Sequence, residues 1–344
     1  MFDAETLAET VQENCHISDA RFAGNYTLCI FLLKMREYFR WERGIPLSKP
    51  LPHAELGKWL VAREEAWEEL EARDFLPLSI GGHRFDPFDS AAINRRINAE
   101  GYVYSAGYGL FHKPSFFLAR LHRKEHRDGI TLYLSHEELA RDLAAPPAML
   151  QGNEVFIRRE SLRRFIWEKI EELGHHRNAQ SPMSRALACY PDGDLEATLD
   201  NMTENEIGTL ILHESGEAMA HERLGHDWEE LLSSLPRSRT EFLLRAVRDN
   251  LADCLSTLPT LIEQDNAAAL HFYFANFTGM RKEIFPSAVT AYHDWLESGS
   301  LAPLRASSEA GREHWHRVSQ RILETWRSQD KPQAADIETL CLPL

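Results

Sequence analysis

The chain has 344 residues, 43% of them hydrophobic and 26% charged, with 53 acidic against 38 basic residues and a formal net charge of -15. This balance fits an ordinary folded protein of about two domains and excludes a disordered or fibrous one. No long Lys/Arg block interrupts the acidity, which argues against a nucleic-acid backbone or an anionic membrane as partner.

The first residues, MFDAETLAETVQEN, are acidic and lack the apolar region of a secretory signal, and YTLCIFLL at 26–33 is too short to span a bilayer. Cys15, Cys29, Cys189, Cys254 and Cys341 are scattered without a CxxC pair, so neither a disulfide framework nor a thiolate zinc site is expected. The expected compartment is the cytoplasm. There the N-x-T matches at Asn25, Asn201 and Asn276 carry no glycosylation meaning.

Residues 4–72 read as helical: a short opening segment, a helix capped by Ser18 or Asp19 and stopped at Gly44, then a glutamate-dense helix after PLPHAELGKW. From about 73 to 158 short β-rich runs alternate with Gly and Pro. The clearest is SFFLARLHRKEHRDGITLYLS, a hairpin turning at Arg127-Asp128-Gly129. DSAAINRRINAE reads as a helix capped by Asp89 or Ser90. GYVYSAGYG has neither a following helix start nor a GK[ST] ending, so it is not read as a nucleotide loop.

Pro146, Pro147 and Gly152 place a domain boundary near residue 150. Residues 1–150 form an α+β region and 151–344 a helical bundle, so the fold class is α+β overall and predominantly α. The expected bundle helices are 159–174, 182–190, 193–200, 203–224, 239–258, 265–281, 286–297 and 307–328. Thr203 with Glu206 reads as a capping box, and Gly225, Ser238 and Pro259 as further punctuation.

Within 203–225, TENEIGTLILHESGEAMAHERLG, Ile207, Leu210, Ile211, Glu214, Ala218 and His221 share one arc, with Glu217 on its flank. A carboxylate there is desolvated, and a buried charge neutralises, finds a partner or binds a metal. Carboxylates with imidazole on facing helices are what a di-iron or di-manganese site requires. Glu214 and His221 are the expected direct ligands and Glu217 a bridging or supporting carboxylate. Glu172, on an edge with Glu168 and His175, Asp249 and Asp253 at i, i+4, and His271 on an apolar arc are the candidate completions. Two other readings stay open: a buried polar network without catalysis, and metal-free acid–base chemistry. The HExxE run at 213–217 has Glu217 where a zinc-peptidase helix needs its second histidine, which argues against a peptidase.

Two resemblances accompany this reading. In YTLCIFLLKMREYFRWERG, ELARDLAAPPAM, RRESLRRFIWEK, ILHESGE, RAVRDNLADCLSTLP and LHFYFAN the chain resembles an uncharacterised bacterial family with no assigned activity, which implies one architecture across both halves. The E-x6-H spacing of Glu214 and His221 is similar to part of the ligand pattern of heme-oxygenase-like di-metal oxidases. Their later D-x3-H pair has Asp249 and Asp253 as its nearest equivalent here. The leading expectation is therefore an iron- or manganese-dependent oxidase or hydroxylase of a small molecule. The alternative is a non-catalytic interaction or scaffold protein, with oligomerisation left open.

Overall fold

The computed structural model describes residues 3–109, 112–127, 129–175, 180–190, 193–236, 238–328 and 334–344. It divides into two compact units, Met1–Glu168 with Asp194–Asp200, and Lys169–Gly193 with Asn201–Leu344. No described helix is long and apolar enough to cross a membrane.

The first unit opens with helices α1 (Ala4–Phe22), α2 (Leu28–Glu42) and α3 (His53–Leu70). A short hairpin, β1 (Leu78–Ile80) with β2 (His83–Phe85), and α4 (Ser90–Ile97) precede five strands: β3 (Tyr102–Tyr108), β4 (Pro114–Arg127), β5 (Ile130–Arg141), β6 (Ala148–Gln151) and β7 (Glu154–Arg158). The sheet order is β3-β4-β5-β7-β6, antiparallel except for the parallel β5–β7 pair. The expected hairpin is present, with Arg127 opposite Ile130; its Asp128 lies outside the described residues. Successive strand residues face opposite ways. Phe116 therefore packs with Leu7, Val11 and Cys15 of α1 and Ile93 and Ile97 of α4, while Phe117 packs with Val103, Tyr133 and Phe156.

Local signals hold where nothing overrides them. Asp89 caps α4, its carboxylate accepting from Ala92 N at 2.9 Å. Ser18 and Asp19, by contrast, do not start a helix, because α1 runs through both and α2 begins after Thr27. Both side chains have tertiary partners instead of a helix end: Ser18 donates to the Pro114 carbonyl, and buried Asp19 accepts from Lys113 Nζ at 2.5 Å and Leu143 N at 3.0 Å. The Pro146–Gly152 run lies inside the sheet, leading into β6 and turning through Gly152 (φ 56°) to β7.

α5 (Arg159–His175) contributes to the first unit up to Glu168, and α7 (Leu195–Leu224) contributes to the second from Asn201 on. The second unit also holds α6 (Pro182–Ala188), α8 (His226–Ser234), α9 (Arg239–Ala252), α10 (Leu258–Glu263), α11 (Ala267–Asn276), α12 (Gly279–Ile284), α13 (Pro286–Ser298), α14 (Ala302–Ser328) and α15 (Ala334–Leu340). Its core gathers Leu244, Leu251, Phe277, Phe285, Trp315 and Ile322. α14 comes close because Gly311 has no side chain; a Cβ there would lie 2.6 Å from Cys254 Sγ.

Several expected boundaries move, among them the start of α14, at Ala302 rather than 307. The segments 193–200 and 203–224 form the single helix α7, in which Thr203 and Glu206 are fully buried interior residues rather than a capping box. The 265–281 helix divides at Phe277 and Thr278 into α11 and α12. Pro259 falls in the first turn of α10 rather than stopping a helix.

Candidate functional site

Four of the predicted ligands, Glu214, Glu217, Asp249 and Asp253, lie where α7 crosses the end of α9. Asp253–Thr257 is a π-helical turn between α9 and α10. Such turns are rare and are often found at functional sites. Pro259 has no N–H to return to Leu255 or Cys254, so a regular α-helical ladder loses a bond here and a wider turn is favoured. α7 meets this turn at Gly216, where a Cβ would collide with the Ala252 carbonyl and stand 3.2 Å from Ser256 Cβ.

That close approach sets the rotation of α7. The buried line runs through Met202, Glu206, Thr209, Gly216, Ala220 and Leu224, with Ile207 and Glu214 at its margin. It is turned by about one residue from the arc drawn through Ile207, Leu210, Ile211 and His221. His213 is consequently brought to the crossing and His221 is carried out to solvent.

A charged network fills the crossing. His213 Nδ1 lies 2.8 Å from Asp253 Oδ1, and Asp253 Oδ2 accepts from Tyr273 Oη at 2.9 Å and from Arg281. On its other side His213 Nε2 is 3.6 Å from Glu217 Oε1, which pairs with Arg248 at 3.0 Å; Arg248 also holds Asp249 at 2.9 Å. Three cations (His213, Arg248, Arg281) thus meet three carboxylates (Glu217, Asp249, Asp253). Asp253 is fully buried, whereas His213, Glu217, Arg248, Asp249 and Arg281 form a partly exposed rim.

The environment sorts these groups. For His213 burial works against charge, but Asp253 outweighs it and lifts the imidazole to about 9. Burial also works against ionised Asp253, yet Arg281 and His213 hold its carboxyl below the ordinary range. Glu214 is different. Burial, reinforced by the neighbouring charge of Glu217, pushes it up to about 7, and among the described residues its carboxyl makes no hydrogen bond.

Of the sequence-predicted ligands, Glu214, Glu217, Asp249 and Asp253 are brought into this neighbourhood. The other three are not. His221 is exposed beside Glu229, 3.3 Å away, because the crossing turns it off the buried line. Glu172 is exposed and paired with Lys169 at 3.3 Å on its own helix face, while the side chain of His175 lies outside the described residues. His271 belongs to a separate aromatic cluster, bonded to Tyr292 Oη at 2.9 Å and stacked on Trp295. Burial, with the charge of Arg185, lowers its pKa to about 4. Among the described residues no group of three or more His, Cys, Asp and Glu side chains is arranged to hold a metal ion.

Reading the sequence for apolar arcs passes over Tyr273, Arg248 and Arg281, and treats His213 only as part of an incomplete zinc motif. The available signals are Gly216, a helix-interior glycine in a tightly patterned stretch, and Pro259 directly after DCLST. Both mark irregular helix contact. Glu206, moved into the helix interior, forms a smaller buried site with Thr209 (2.7 Å) and Asn205 (2.9 Å), and burial raises it to about 7.

A predominantly helical α+β chain with a charge-balanced polar crossing in its second half is thus the class the geometry defines. The chain belongs to the family of unknown function DUF6866, whose N-terminal domain matches residues 6–158 and whose C-terminal domain matches residues 163–343. No curated protein and no solved structure matches it.

Proposed function

We propose that the protein is a non-catalytic interaction protein whose helical second unit is held in register by the His213–Asp253 network. The pairing itself carries this reading: three of the four carboxylates brought together, Glu217, Asp249 and Asp253, are matched by guanidinium or imidazolium, and the network joins α7, α9, α11 and α12. Buried ionic networks of this kind are retained where they select one packing over competing ones. Breaking such a pair leaves an uncompensated charge, so Asp253→Ala is expected to cost about 3–5 kcal/mol in urea unfolding. Glu214→Gln is expected to leave fold and metal content unchanged.

A second reading, iron- or manganese-dependent oxidation of a small molecule, is favoured by one observation. Glu214 is a buried carboxyl without a hydrogen bond, among Glu217, Asp249 and His213. Elemental analysis of protein purified without chelator, after supplementation with iron or manganese, separates the two. A transition metal near one equivalent that is lost in Glu214→Ala while the fold survives would overturn the interaction reading; less than about a tenth of an equivalent overturns the oxidase.

A further inference from the structure

The first unit contains a cavity of about 220 Å³ that the network above does not touch, walled by the Gly44–Leu47 turn, Trp41 and four arginines, Arg40, Arg141, Arg163 and Arg164, with Glu37 and Glu160. In a chain of net charge -15 this concentration of guanidinium stands out. Two of the four are spent on the fold. Arg40 binds Glu37 (3.2 Å) and the carbonyls of Pro46 (2.7 Å) and Lys49 (2.8 Å), and Arg163 binds Glu196 (2.5 Å) and Asp200 (2.8 Å).

Arg141 is not. It is 2% exposed, yet its nearest carboxylate is Glu138 at 3.8 Å. Glu138 is already engaged by both arms of Arg158 (3.0 and 2.8 Å) and by Ser161 (2.6 Å). Arg141 makes one long bond to the Glu37 carbonyl at 3.4 Å, and its Nε has no partner. Its guanidinium lies 4.8 Å from the centre of the Trp41 ring. Arg164, beside it, binds Glu168 (2.7 Å) and the Ala145 carbonyl (2.9 Å) but also has a buried Nε without a partner. Burial, with the charge of Arg164, lowers the Arg141 pKa to about 10.

A buried guanidinium whose one carboxylate partner is distant and shared with another arginine is costly, and its planar fork matches an oxyanion. We propose that this cavity binds a small organic oxyanion, a carboxylate or a phosphate ester, with the anionic group received by Arg141 and Arg164 and the carbon portion lying against Trp41 and the 44–47 turn. The cavity is smaller than the roughly 300–1,000 Å³ of most ligand pockets, which restricts the ligand to a few carbon atoms.

The test uses the full chain with inorganic phosphate, succinate and benzoate, each at matched ionic strength in a chloride background. Calorimetric titration and thermal unfolding are expected to show one saturable site for at least one anion. The preference between phosphate and the two carboxylates identifies the headgroup. Arg141→Met is expected to unfold at a temperature no lower than wild type and to lose the anion-dependent rise, since it removes a buried charge whose ion pair with Glu138 is long and shared. Arg164→Gln, which retains Arg141, is expected to weaken binding at least tenfold. No saturable binding of any of the three anions, or wild-type affinity in either variant, overturns the site. A lower melting temperature of unliganded Arg141→Met assigns the guanidinium to internal support and overturns it too.

Discussion

At the scale of single residues, the crossing of α7 with the α9–α10 junction takes up protons on folding. His213 is lifted from 6.5 to about 9, burial being outweighed by Asp253, and Glu214 rises from 4.5 to about 7 by burial and the charge of Glu217. Folding therefore takes up a proton at Glu214 between about pH 4.5 and 7, and at His213 between about 6.5 and 9. Both contributions are complete below the unfolded-state values and are lost as pH rises through the folded ones. The urea midpoint is expected to fall from pH 6.5 to pH 9; below 6.5 His271 and His16, whose pKa values burial lowers to about 4 and about 3, act in the opposite direction. Glu214→Gln should flatten the lower part of that decline without abolishing it, because Glu206 and Glu160 are raised in the same direction by burial. A wild-type midpoint that stays level or rises over this range would contradict the assignment. The desolvation of Glu214 was legible in the sequence from its place on an apolar arc, although His221, on the same arc, is exposed. Its neighbours were not legible, because which cation reaches a buried carboxylate depends on the rotation of α7, and apolar residues alone misplace that rotation.

At the scale of elements, the crossing of α7 with the α9–α10 junction rests on a missing methyl group. Gly216→Ala places a Cβ against the Ala252 carbonyl, and overpacking of this kind costs about 1–3 kcal/mol. Gly208, on the same helix, is exposed with nothing near its missing Cβ, so Gly208→Ala should stabilise by about 0.5–1 kcal/mol. Urea unfolding of the two variants gives opposite signs if the contact at 216 sets the crossing, and equal signs if it does not. The hairpin at 114–141, the Asp89 cap and the Gly225 stop could be read from local chemistry because nothing competes with that chemistry there. Ser18, Asp19, Thr203 and Glu206 carry the same polar atoms that cap helices. Tertiary packing places all four in a helix interior, where Ser18 and Asp19 meet partners far along the chain and Glu206 bonds Thr209 and Asn205 of its own helix, a choice that a sequence window does not contain.

At the scale of the whole molecule, net repulsion between copies contrasts with one apolar exception. The start of α2 exposes Leu28 (70%), Ile30 (47%), Leu32 (43%) and Leu33 (55%). Leu28→Glu combined with Leu32→Glu is expected to alter unfolding free energy by no more than about 0.5 kcal/mol per site and to lower binding of an apolar dye. A large loss of stability would instead show these leucines to be packed. The two family domains divide the chain close to where the sheet ends, at Arg158. The strand order gives that limit a meaning during synthesis. β5 pairs on one side with β4, but its other neighbour is β7, made after β6. A ribosome adding roughly 5–20 residues per second leaves the second edge of β5, with Leu132 and Leu134, uncovered for on the order of a second. The nascent chain is most open to pairing with a neighbour in that interval, and it closes when Arg158 arrives to clasp Glu138.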